Sequence, residues 1–244
     1  MIFEENAELK IRGLRIDWNR IDEDSYLRSI PAVASIDQLD FSRPITFFVG
    51  ENGSGKSTLL EAIAVEYGFN PEGGTKNYSF STFDSHSELY NALTLIKGTG
   101  KAGWGYFLRA ESFYNVASAE AEYSKAGGKS LSLHRLSHGE SFLAAAQEYF
   151  RPGGIYLLDE PEAALSPQRQ MAMMVRIAEC ARNGAQFIIV THSPVLLALP
   201  DSEILSFDGE KIHPVEYEET ESYKVTEMFI NGRKHILDLL LEGN

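Results

Sequence analysis

Apolar positions along the chain follow two periods, and the alternation between them lays out the predicted elements. Continuous apolar runs at 45–49, 155–158 and 186–190 read as strands buried on both faces. Leu59, Leu60, Ile63, Ala64 and Tyr67 recur at helical spacing, as do Phe142, Leu143, Ala146 and Phe150. Residues 8–18 and 36–49 read as strands joined by a Pro-containing connection at 25–35, which together form a small β layer. Residues 68–87, rich in Gly, Asn, Ser, Thr and Pro, read as loop. Residues 88–97 carry helical spacing, 105–109 a short strand pattern, and Gly127–Gly128 a break. Beyond that break the order helix, strand, helix, strand predicts a parallel sheet with helices packed on it. Residues 216–244 are acidic and end in the apolar-spaced Ile236, Leu237, Leu239, Leu240 and Leu241. This segment reads as a packing helix, since a surface helix normally buries its stripe, with a docking surface as the alternative.

A chain of 244 residues with 43% hydrophobic content has enough apolar material for one large domain or two small ones. The longest apolar runs, 187–190 and 194–199, fall far short of the roughly 20 residues a membrane-spanning helix needs. Residues 1–10 carry three Glu residues, unlike a basic signal peptide, so no membrane insertion is expected. A single cysteine, Cys180, excludes an internal disulfide and favours a reducing cytoplasm. Its predicted role is packing within a helix. The net charge of −13 argues against a chain whose main business is coating nucleic acid. Lys10, Arg12 and Arg15 could still line one strand with basic groups, although a solvated strand face is the better reading.

The sharpest chemical signal is Gly50, Glu51, Asn52, Gly53, Ser54, Gly55, Lys56, Ser57 and Thr58. Glycines let consecutive N–H groups turn inward around a polyphosphate, and Lys56 adds a positive charge for its β and γ groups. Ser57 has a hydroxyl free for Mg²⁺. The apolar run before this loop and the helical spacing after it put a helix N-terminus beneath the phosphates. A second apolar run delivers Asp159 and Glu160 to a strand end, the edge where ligands bind in open α/β sheets. Asp159 could hold Mg²⁺, and Glu160 could deprotonate an attacking water. Ser137 and Gly139 sit where a helix begins, as a second anion site or as plain capping with Glu140 three residues after Ser137. The run 186–190 delivers Thr191 and His192, followed by Ser193 and Pro194 as N-cap and first helical residue. Alone, a histidine there is more often structural than functional.

Taken in order, the phosphate loop, LSHGES, YLLDEPEAALSP and VTHS resemble the ATP-binding-cassette ATPases over essentially the whole chain. The nearest likeness is to small stand-alone ATPases of this type. The resemblance implies an α/β fold with a mainly parallel sheet flanked by helices, an N-terminal antiparallel β layer and a small helical signature subdomain. It implies one domain over 1–244, with a β layer at 1–48, a nucleotide-binding core at 49–69 and 151–244, and an inserted region at 70–150. It further implies ATP and Mg²⁺ as cofactors and a homodimer that sandwiches two ATPs. Lys56 of one chain would then face Ser137 and Gly139 of the other, with Glu160 the base, His192 the γ-phosphate sensor and 163–166 at the dimer contact. His138 replaces the first glycine of the usual signature pair, and Glu111 is the positional candidate for the usual metal-binding glutamine. Tyr26, Arg12 and Arg28 are the candidates for stacking adenine.

The expected function is therefore ATP hydrolysis coupled to head-to-tail dimerisation, driving or gating an unidentified partner in the cytoplasm, with a protein partner possible and nucleic acid not favoured. An ATP-operated DNA clamp is the alternative, weakened by the missing coiled coil and basic surface. A transporter subunit ranks third, because residues 70–130 differ from what such subunits show.

Overall fold

A computed structural model of the chain describes residues 8–76, 87–100, 102–110 and 138–241. Two sheets organise it. β1 (Ile11–Ile16), β2 (Gln38–Asp40) and β4 (Leu93–Lys97) form an antiparallel sheet in the order β2-β1-β4. The larger sheet contains β3 (Ile45–Val49), β5 (Gly105–Arg109), β6 (Ile155–Asp159), β7 (Gln186–Val190), β8 (Glu203–Ser206) and β9 (His213–Pro214). Its order is β5-β6-β7-β3-β8-β9, parallel throughout except for the antiparallel β9. The fold class is thus α/β as expected, with a parallel sheet and an antiparallel N-terminal layer.

Every residue of β3, β6 and β7 is buried, which explains why these strands read as unbroken apolar runs. Successive side chains serve opposite faces. Tyr156 and Leu158 join one core with helices α4 (His138–Tyr149) and α5 (Pro167–Arg182), while Ile155 and Leu157 join the other. That second core is closed by α2 (Lys56–Tyr67) and by Ile11, Leu14 and Leu95 of the small sheet. Gln186 ties the two sheets together. Its amide oxygen accepts from the N–H groups of Lys10 and Ile11, and its amide nitrogen donates to the Ile11 carbonyl.

Several sequence expectations need correction. The expected strand at 36–49 is two strands in different sheets, because Pro44 has no N–H to continue a ladder and the chain crosses between layers there. The connection at 25–35 contains a 3-10 turn, Tyr26–Ser29, and a one-turn helix α1, Pro31–Ala34, with Leu27, Ala32 and Val33 buried. Residues 88–97 are one helical turn, α3 (Leu89–Ala92), followed by β4. Leu89, Leu93 and Ile96 fit helical spacing while Leu93 and Leu95 fit strand alternation, and antiparallel pairing with β1 decides the outcome. Lys10 lies buried and bonds the Gly184 carbonyl, so only Arg12 and Arg15 are on the exposed strand face. Cys180 is buried in α5 as expected, and burial pushes its thiol pKa up.

The C-terminal segment forms helix α7 (Glu221–Leu241) after a one-turn α6 (Pro194–Leu197) and the short β8–β9 pair. No residue of α7 is buried, and seven of the ten exposed large hydrophobic side chains among the described residues belong to it. The expected packing of its apolar stripe within the chain is therefore not what the structure shows. Among the described residues, no helix is long and apolar enough to cross a membrane.

Candidate functional site

The phosphate loop begins where β3 stops. Gly50, Gly53 and Gly55 have φ of 137°, 82° and 92°, a region that side chains with a Cβ rarely enter. At Gly55 there is a second reason for glycine, because a Cβ there would lie 2.4 Å from Val33 Cγ2 of α1. The helix α2 starts at Lys56 directly after this turn, as the sequence predicted. Lys56 is 4% exposed, and its ammonium donates to the carbonyls of Gly50 and Glu51, both at 2.6 Å, and to Ser54 Oγ at 3.3 Å. Burial pulls its pKa below the ordinary lysine value, against the carboxylates of Asp208, Glu160, Asp159 and Glu51, which push it up.

Residues about a hundred positions apart meet at this loop. Ser57 Oγ donates to Asp159 Oδ1 at 2.8 Å, joining the first turn of α2 to the end of β6. A serine hydroxyl and a carboxylate so close are hard oxygen donors of the kind Mg²⁺ takes, with phosphate oxygens and water completing the shell. Among the described residues there is no cluster of three His, Cys, Asp or Glu groups that could hold a metal without such help. The residues present thus fit Mg²⁺ in company with a bound triphosphate.

Glu160 follows Asp159 in the left-handed region, φ 50° and ψ 52°. That conformation is strained for a residue with a side chain, and it turns the chain out of β6 into a 3-10 turn, Pro161–Ala164. Glu160, His192, Glu51 and Asn52 line one cleft of about 470 Å³, so the expected base and the expected histidine share a wall with the phosphate loop. His192 is exposed there, between the buried Thr191 and Ser193. Ser193 caps α6, accepting from the N–H groups of Val195 and Leu196, and donates to Gln170 Oε1 at 2.6 Å. Gln170 in turn donates to the Leu165 carbonyl, so the loop after β7 is tied to the loop after β6.

Other expectations find less support. Thr58 lies in α2 and Gly139 in the first turn of α4, whereas Ser137 and Glu111 lie outside the described residues. The adenine candidates separate, because Arg28 donates to the carbonyls of Trp18, Ile21 and Asp22 and packs over the Trp18 ring. Its guanidinium therefore serves its own loop rather than a ligand. Tyr26, 56% exposed, remains presented to solvent.

Three charged residues went unremarked in the sequence. Arg109, paired in register with Asp159, donates to Glu61 Oε2 at 2.6 Å and brings Nε to 3.6 Å from Asp159 Oδ2. Glu162 Oε1 accepts from the His192 N–H at 2.6 Å, and Asp208 Oδ1 accepts from the Glu51 N–H at 2.8 Å. Burial raises the Glu162 pKa, opposed by the hydrogen bond from His192. A charged residue at the C-terminal end of a predicted strand was the available signal for Arg109. No local pattern marks the other two.

Known proteins similar to this chain are ATP-binding proteins and AAA domains. A family model described as "AAA domain" matches residues 27–126, and one described as "AAA domain, putative AbiEii toxin, Type IV TA system" matches residues 113–198. A thiamine import ATP-binding protein of Cereibacter sphaeroides is 35% identical over 164 residues, covering 60% of this chain and 69% of that one. An aliphatic sulfonates import ATP-binding protein of Rhodococcus jostii is 30% identical over 211 residues, covering 80% and 82%. Among solved structures, the SMC head domain from Thermotoga maritima aligns with a TM-score of 0.44 at 16% identity, covering 85% of this chain and 100% of that one. With relatives of this similarity, and with a phosphate loop facing the strand-end residues Asp159, Glu160 and His192, the chain belongs to the ABC-type ATP-binding proteins and is a P-loop ATPase.

Proposed function

We propose that this ATPase acts as a head-to-tail pair of chains that closes on two ATPs and opens after hydrolysis, driving or gating a protein partner. The observation that carries the reading is the shared cleft of Glu51, Asn52, Glu160 and His192 beside the Ser57–Asp159 pair. It supports a division of labour. The glycine-rich turn and Lys56 hold the β and γ phosphates, Glu160 takes a proton from the attacking water, and His192 donates a hydrogen bond to a γ-phosphate oxygen. Mg²⁺, bound by Ser57 and Asp159, would supply charge neutralisation on the phosphates. That cleft is open on the protein surface, which fits a site finished by a second subunit. Ser137 and Gly139 of the opposing chain are the residues we assign to finish it, with 163–166 at the contact.

Replacing Glu160 tests the chemistry. Glu160→Gln should slow turnover by about 10²-fold or more while ATP stays bound, the range general bases contribute. Undiminished hydrolysis would remove Glu160 from this role. A second reading is favoured by the relatives, whose names describe import ATP-binding proteins. On that reading the partner is a membrane transporter, and the discriminating observation is whether an integral membrane protein co-purifies with the chain.

A further inference from the structure

Two acidic side chains, Asp208 and Glu162, take the place of missing backbone rungs where the chain leaves the sheet to form the site. In a parallel ladder, N–H groups of one strand bond carbonyls of its neighbour, and the direction reverses at each step. Between β3 and β8, Val49 faces Ser206 and the Phe207 N–H donates to the Val49 carbonyl at 2.8 Å. The next regular rung would run from the Glu51 N–H to the Phe207 carbonyl. Instead Gly50, at φ 137°, swings the chain away, and the Glu51 N–H donates to Asp208 Oδ1 at 2.8 Å. A Cβ on Gly50 would lie 2.9 Å from that same oxygen, so the glycine also makes room for the carboxylate.

The arrangement recurs between β6 and β7. Asp159 faces Val190, and the Glu160 N–H donates to the Val190 carbonyl at 3.0 Å. The next rung would run from the His192 N–H to the Glu160 carbonyl, but Glu160 is left-handed and its carbonyl is turned out of the ladder. The His192 N–H donates to Glu162 Oε1 at 2.6 Å.

We infer that Asp208 and Glu162 are positioning residues: Asp208 holds the start of the phosphate loop for nucleotide binding, and Glu162 holds His192 for turnover. The inference deepens the proposed function and rests on its assignment of the phosphate loop and His192. Each carboxylate acts on a different step because each holds a different loop. Asp208 pins the loop that takes phosphates, whereas Glu162 pins the residue facing the γ-phosphate from the neighbouring strand end. Glu162 also sits in the turn leading to 163–166, so movement of that turn is transmitted to His192 through one hydrogen bond.

The test combines amide hydrogen exchange at Glu51 and His192 with ATP affinity and kcat, measured on the full chain with ATP and Mg²⁺. Asp208→Ala should speed Glu51 exchange and weaken ATP binding about tenfold or more, with kcat within about threefold of wild type; loss of a charge-assisted hydrogen bond has that size. Glu162→Ala should speed His192 exchange and lower kcat about tenfold or more, with ATP affinity within about threefold. Asp208→Asn and Glu162→Gln keep an acceptor oxygen, so they should hold exchange and function within about threefold of wild type. These two variants carry the test should the alanine forms fail to fold. Unchanged exchange in the alanine variants, conservative variants no better than alanine, or affinity and kcat falling together in step with stability would overturn the inference. A wild-type protein that does not bind ATP would instead overturn the reading of the phosphate loop, while protected Glu51 and His192 amides would leave the rungs themselves standing.

Discussion

Gly55 illustrates how closely single residues are constrained at this site. It needs a left-handed backbone to start α2, and a Cβ would collide with Val33 beneath it. Gly55→Ala should therefore destabilise the fold by about 1–3 kcal/mol from backbone strain alone, with the Val33 collision adding to it; urea unfolding measures this, and an unchanged midpoint would contradict the packing. Glu162 offers a test through pH. Its folded-state pKa is raised above the ordinary glutamate value of 4.5, so the folded state holds that proton more tightly than the unfolded chain does. Its contribution to stability is full below 4.5 and is lost as pH rises through the folded pKa. Glu162→Gln should accordingly gain stability over wild type at pH 8 and lose that advantage near pH 4; thermal melts at both values check the sign, and a constant difference would contradict it. The phosphate loop, Asp159, Glu160 and His192 were legible because each lies beside an apolar run that the sequence displays directly. Asp208 and Glu162 were not, because their role depends on which strand ends beside which, and register between distant segments leaves no local mark.

At the scale of elements, the buried strands were the easiest to read. β3, β6 and β7 are covered on both faces, so their side chains need no alternation and stand out as continuous apolar runs. The edge of the small sheet was harder, since Leu89, Leu93 and Ile96 suit a helix until β1 claims the segment as β4. Helix α7 shows the opposite failure. Its apolar spacing is real, yet Val225, Met228, Phe229, Leu239 and Leu240 remain 40% to 72% exposed. A helix with half-buried residues such as Ile236 and Leu237 but no fully buried one adds little to the core. Ending the chain after Gly232, where the helix departs from helical φ and ψ, should leave the urea midpoint nearly unchanged. A large loss of stability in that variant would mean that the outer half of α7 packs on the domain.

The whole molecule is arranged so that one edge of the parallel sheet gathers the chemistry. β3, β6 and β7 are neighbours in the sheet order and all point their C-terminal ends the same way, which brings Lys56, Asp159, Glu160 and His192 to one opening. The three-stranded layer and Gln186 brace the opposite end. On the proposed reading, hydrolysis waits until a second copy covers this opening. Sedimentation of the Glu160→Gln variant with ATP and Mg²⁺ tests this most directly. The variant should form a dimer with ATP that reverts to monomer with ADP, and a variant that binds ATP yet sediments as a monomer at every concentration would contradict the two-chain site.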